Sequence, residues 1–237
     1  MDKKVFSTTD LIEQIRDYQN KNSELLESHH FVFDCPLECE GLGGNTKLKP
    51  EFIWMGINPG NDEESWEKTN ENTEETRDRN FQLDKRTDHS NKMMKKLKKC
   101  LGNVNFTKTT LTEMFFWGSD DIKGGFKNRY GYPFHNNRHM KFCLEINKEL
   151  FKRINPKFII GPHYAKITKN RINIIKNYFN LELIKEYRNK INNNVFIERY
   201  IMDGKHQYLN CKFPGRGNWE PGEWDEMCKK IQEIINE

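Results

Sequence analysis

The chain of 237 residues and 28.4 kDa is large enough for one sizeable core and is read as a single domain over 1–237. Only 35% of its residues are hydrophobic, yet 16 Phe, 8 Tyr and 5 Trp supply large surfaces for burial, which excludes a globally disordered chain. A net charge of +4 does not by itself demand a polyanionic partner, no stretch approaches the roughly 18 apolar residues of a membrane span, and the charged start MDKKVF does not fit a secretion signal; the expectation is a cytoplasmic protein that does not associate with membranes.

Residues 9–27 predict a first helix, with Leu11, Ile12, Ile15, Tyr18, Leu25 and Leu26 as its apolar stripe. Irregular chain is expected from Cys35 to Pro50, ending where Phe52, Ile53, Trp54 and Met55 begin a short buried strand. That strand runs into Gly56-Ile57-Asn58-Pro59-Gly60. From Asn61 to Arg79 eight acids stand against three bases without periodicity, which predicts a mobile acidic loop over about 61–80. Asn80 to Thr110 reverses the balance, with eight bases against two acids. Within it Ser90 to Leu101 predicts a basic amphipathic helix, with Lys92, Lys95, Lys96 and Lys99 on one face and Met93, Leu97 and Leu101 on the other. Such a face can follow phosphates or simply be solvated.

Thr109 to Phe116 is a second strand candidate, Asn137 to Ile154 a helix, Lys157 to Gly161 a third buried strand, and Tyr164 to Phe179 another helix. Val195 to Met202 and His206 to Phe213 flank Asp203-Gly204 as a hairpin. A glycine-rich segment, Phe213 to Trp219, comes next, and Pro221 opens a last helix with Trp224, Met227, Cys228, Ile231, Ile234 and Ile235 as its buried stripe. Short apolar strands alternating with helices predict a three-layer α/β/α sandwich with a mostly parallel central sheet. Ligands of such sheets gather beyond the carboxyl ends of the strands, where 56–60, 113–117 and 213–219 fall.

The strand FIWMGINPG, the middle strand NPKFIIG and the late FPGRGNW together resemble the uracil-DNA glycosylase superfamily over about Phe52 to Asn218. Gly56 to Gly60 is similar to the first motif of its mismatch-specific, thymine- and uracil-excising branch. Phe213-Pro214-Gly215-Arg216 stands where that family has its second, DNA-penetrating motif. The resemblance implies a uracil-DNA glycosylase-like fold and a monofunctional glycosylase. Such an enzyme flips a pyrimidine out of DNA, attacks the sugar C1′ with water and leaves an abasic site, without metal or cofactor and as a monomer.

Base release passes through an oxocarbenium-like sugar, so a water must be held on one side and the departing base anion stabilised on the other. Asn58, its turn made rigid by Pro59, is the expected water-positioning residue, with Gly56 and Ile57 beside it. Asp62 is a candidate carboxylate for that water, and a solvated acidic loop explains it equally well. The most uracil-specific branch has a tyrosine where Gly60 stands, so the resemblance implies room for a substituent on the base C5 atom. Glu113 lies roughly where relatives place the Asn that reads the base edge. An ionised carboxylate only accepts hydrogen bonds and favours a cytosine amino group, although a cap or a salt bridge also accounts for it. Phe115 and Phe116 are candidate stacking rings for the extruded base, one of two adjacent strand aromatics ordinarily being core.

The substrate expected from this set is a 5-substituted cytosine such as the hydroxymethylated or glucosylated base of phage DNA, in duplex or single strand, with phage defence as the role. Repair of uracil and thymine mismatches is the alternative, and a non-catalytic nucleic-acid-binding module the further one. Many relatives have His where Phe213 stands, and Lys212 or backbone N–H groups are the candidate replacements. Arg216 resembles the plug for the vacated stack, with Pro214, Gly215, Gly217 and Asn218 around it in the DNA-binding loop, although a phosphate-contacting or solvated arginine also accounts for it. His163, after the third strand, is a phosphate-contact candidate or a helix-start histidine. Cys35-x3-Cys39 has the wrong spacing for a cluster, and His135 with His139 lacks the HExxH glutamate, so no metal is expected. The six cysteines are expected as free thiols.

Overall fold

A computed structural model describes residues 9–26, 50–57, 88–118, 124–131, 138–164, 169–190, 192–212 and 221–237. In chain order these form α1 (Thr9–Asn20), α2 (Ser23–Leu26), β1 (Phe52–Gly56), α3 (Asp88–Leu101), α4 (Asn103–Thr107), β2 (Thr109–Glu113), α5 (Gly124–Tyr130), α6 (Arg138–Ile154), β3 (Phe158–Tyr164), α7 (Lys169–Tyr178), β4 (Leu181–Arg188), β5 (Val195–Met202), β6 (His206–Lys212) and α8 (Glu223–Ile235). The strands make one six-stranded sheet in the order β2-β1-β3-β6-β5-β4. The first four are mutually parallel, and β5 is antiparallel to both of its neighbours.

Alternation along the strands divides the core between two faces. Ile53, Met55, Ile57, Ile159 and Tyr208 pack with residues of α1, α6 and α7. Phe52, Trp54, Leu111, Phe158 and Leu209 pack with Leu97 and Leu101 of α3 and with the Met227, Ile231, Ile234 stripe of α8. Helices therefore cover both faces, and the three-layer architecture with a mostly parallel sheet agrees with the sequence reading.

Three boundaries differ from expectation. The first helix breaks after Asn20, where Asn22 turns its side-chain amide back to the Tyr18 carbonyl at 2.7 Å and its own carbonyl accepts from Leu25 N–H, restarting the chain as α2. Tyr164 belongs to β3 rather than to the following helix, which begins at Lys169. Finally, β4 is an edge strand the sequence reading lacked. Its pairing with β5 shifts between Leu183 and Lys185, a bulge at which Leu183 and Ile184 are left exposed. On the basic helix Leu97 and Leu101 are buried and Lys95 is exposed, while Lys99 is paired with Asp225 of α8 at 2.6 Å.

Among the described residues no helix is long and apolar enough to cross a membrane, and Cys100, Cys143, Cys211 and Cys228 are free, buried thiols.

Candidate functional site

In the order β2-β1-β3 the chain passes from β1 to one side, then crosses to the other, with α3 and α4 on one face and α5 and α6 on the opposite one. In sheets of this kind such a reversal marks the place, beyond the carboxyl ends of β1 and β3, where ligands gather. The sequence-predicted residues that the structure describes lie along this edge.

Gly56 ends β1 directly opposite Glu113, which ends β2. The half-buried Glu113 side chain lies across the glycine: a Cβ built on Gly56 would stand 2.6 Å from its Cδ and 2.7 Å from its Oε1. The carboxylate can take this position only over a glycine, because any Cβ there would push the end of the Glu113 side chain aside; the close approach, not a turn, is what the glycine permits. Beyond the strands Met114 N–H donates to the Gly56 carbonyl and Phe115 N–H to the Ile57 carbonyl, each at 3.0 Å. The two chains thus leave the sheet still paired. Ile57 itself is buried in the core.

Phe115 and Phe116 are 0% exposed. The Phe115 ring makes edge contacts with Trp117, Phe126 and Tyr130, and Phe116 packs in the same cluster. Both rings are engaged in core packing, which differs from the expectation of an open stacking face. Next to them the indole N–H of Trp117 donates to Gln19 Oε1 at 3.0 Å, and the Tyr18 hydroxyl is hydrogen-bonded to His139 Nδ1 at 3.0 Å. Burial holds the His139 pKa down to about 4, aided by the neighbouring Arg138 charge, so the imidazole is neutral at physiological pH.

On β6, two strands from β1, Lys212 terminates the sheet edge in register with Tyr164 of β3. Its ammonium donates to Glu223 Oε2 at 3.0 Å, a carboxylate whose side chain is only 3% exposed in the first turn of α8. The helix dipole favours an acid there, and the ion pair balances a lysine charge that the sequence reading had offered to a departing base. His163 lies within β3 by its backbone, and its side chain is outside the described residues, as are Asn58, Pro59, Gly60, Asp62, the acidic loop, Cys35, Cys39, His135 and the Pro214 to Asn218 segment.

The structure thus brings together Gly56, Ile57 and Glu113 and sets Lys212 farther along the same edge. Sequence reasoning missed Asn147, wholly buried on α6, which accepts from Thr112 Oγ1 at 2.6 Å and donates to the Glu113 carbonyl at 2.8 Å. The available signal was an amide in the apolar part of a helical stripe, between Cys143 and Leu150. Among the described residues no three His, Cys, Asp or Glu side chains are grouped so as to hold a metal ion. The strand ends here set a carboxylate, a hydrogen-bond acceptor when ionised, beside the buried backbone of Gly56. Comparison of the sequence with protein-family models and with curated proteins finds no match.

Proposed function

We propose that the protein is a monofunctional DNA glycosylase that flips out and hydrolytically excises a modified pyrimidine, a 5-substituted cytosine ahead of uracil, leaving an abasic site. The observation that carries this reading is the Glu113 carboxylate lying over a glycine where β1 and β2 reach the crevice. A carboxylate accepts hydrogen bonds and donates none when ionised, and the exocyclic amine distinguishes cytosine from uracil by supplying a donor. Asn58, the residue after Ile57, positions the attacking water, and Asp62 is the neighbouring carboxylate. Arg216 and the glycines beside it fill the vacated stack, with Lys95 and its neighbours on α3 supplying phosphate contacts. The resemblance of the three strand-end segments to the uracil-DNA glycosylase superfamily supports the same reading.

Duplexes bearing uracil, mismatched thymine, 5-hydroxymethylcytosine and glucosylated cytosine, incubated with enzyme and then treated with alkali, test it. Strand cleavage at the modified cytosines is the expected result. Cleavage confined to uracil or mismatched thymine would transfer the enzyme to base repair, and salt-sensitive binding without any cleavage would make it a binding module.

A further inference from the structure

Helix α6 faces the sheet with an apolar stripe that includes Met140, Cys143, Leu150 and Ile154, and Asn147 interrupts it. A leucine in that slot would bury apolar surface without desolvating an amide, and the strand ladder needs no side chain to complete it. Both ends of the Asn147 amide are nevertheless engaged by β2, through Thr112 Oγ1 at 2.6 Å and the Glu113 carbonyl at 2.8 Å. Glu113 is the last residue of the strand, and its carboxylate fits only because Gly56 has no Cβ. Sliding β2 along β1, or rotating the Glu113 peptide, would carry the carboxylate off the glycine. The ladder bonds of Met114 and Phe115 resist the first motion, and the Asn147 bond resists the second.

We infer that Asn147 is a positioning residue: oriented by the Thr112 hydroxyl, its amide fixes the Glu113 peptide so that the carboxylate stays over Gly56, facing an extruded base. The inference rests on the proposed reading of Glu113 as the group that reads the base. In such a role the helix sets the aim of a side chain through the backbone that carries it, and small displacements there have large kinetic consequences.

A mutant cycle tests it. In single-turnover excision of 5-hydroxymethylcytosine, Asn147→Ala and Glu113→Ala are each expected to slow kcat by about 100-fold with little change in KM. The double variant is expected to be no slower than Glu113→Ala, because a missing carboxylate has no aim to lose. Thr112→Val, nearly isosteric, removes only the orienting hydroxyl and serves if Asn147→Ala does not fold; about a 10-fold loss is expected. Losses that add in the double variant would overturn the inference. A second readout needs no substrate. Amide exchange at Met114 and Phe115 and the carboxyl titration of 13C-labelled Glu113 are both expected to change in Asn147→Ala, or in Thr112→Val. Unchanged exchange and titration overturn the positioning role, whereas a wild-type enzyme that releases no base from any duplex overturns the glycosylase reading alone.

Discussion

The two ends of the parallel sheet are built on different terms. At the amino end, Glu51 accepts ion pairs from Lys108 at 2.7 Å and Lys157 at 2.5 Å, while its own N–H and carbonyl bond to the backbone of Lys108 and Lys157 at 2.9 and 2.7 Å. One residue thus ties together the entries to β1, β2 and β3. Nearby, Arg153 at the end of α6 bridges to Asp10 of α1 at 2.5 Å, fastening two helices of the same layer. At the carboxyl end a carboxylate is laid over a glycine, a buried amide holds a strand terminus, and a neutral histidine is enclosed beside Tyr18. Charges at the amino end meet their opposites in short, partly exposed pairs, which organise the strand entries at small energetic effect. Polar groups at the carboxyl end are buried, a cost to stability that their hydrogen bonds offset.

Substitutions at the two ends should therefore separate activity from stability. The largest effect is expected for Asn58→Ala, which removes the amide proposed to position the attacking water: base release is expected to fall by about 100-fold or more in an alkaline-cleavage assay, with salt-dependent DNA affinity nearly intact. Gly56→Ala comes next. A Cβ within 3.0 Å of the Glu113 carboxylate forces it aside, and excision of 5-hydroxymethylcytosine is expected to drop by about 100-fold. An alanine that leaves the rate unchanged would break the contrast between the ends.

A pH series sharpens the contrast in stability. His139 is held down to about 4 from the ordinary 6.5, so as acidity increases the unfolded chain takes up its proton first. The stability linked to it is complete above pH 6.5 and declines as pH falls toward about 4. Chemical denaturation across that window should show His139→Gln flattening the slope by up to about 1.4 kcal/mol per pH unit, the value of one proton. Burial lowers the His206 pKa as well, and His206→Gln measured in parallel gives the amino end's share.

The smallest effect belongs to Glu51→Gln. The lysines hold the Glu51 carboxyl below its ordinary range, so its stabilisation is present at neutral pH and disappears as pH falls from the ordinary glutamate range through that lowered value. A loss of under about 1 kcal/mol at pH 7, vanishing in acid, with an unchanged excision rate, is the expected result.

Much of the frame was legible because it follows from periodicity. FIWMG and FIIG are continuous apolar runs, as strands covered on both faces must be, and the i, i+4, i+7 spacing of Met227, Ile231 and Ile234 gives α8 its buried side. Edge strand β4 escaped notice because its bulge breaks the two-residue period and its apolar Leu183 and Ile184 lie exposed. The break after Asn20 depends on one amide-to-backbone bond, which helix propensity does not encode. At the site, the pairing of Gly56 with Glu113 was within reach of the motif reading, since both close a strand aimed at the crevice. Phe115 and Phe116 were not, because alternation assigns two neighbouring strand residues to opposite faces, and here the chain leaves the sheet at Glu113 and turns both rings inward. Asn147 carried a weak signal, a single amide on an apolar face, whose partners only tertiary structure supplies.

Mass detection of the free base decides the matter, after the wild-type protein and Glu113→Gln are each incubated with a duplex containing one 5-hydroxymethylcytosine. Wild type is expected to liberate 5-hydroxymethylcytosine as the intact base and leave an abasic site, and Glu113→Gln to liberate far less. No released base from wild type, or equal release from both proteins, would contradict it.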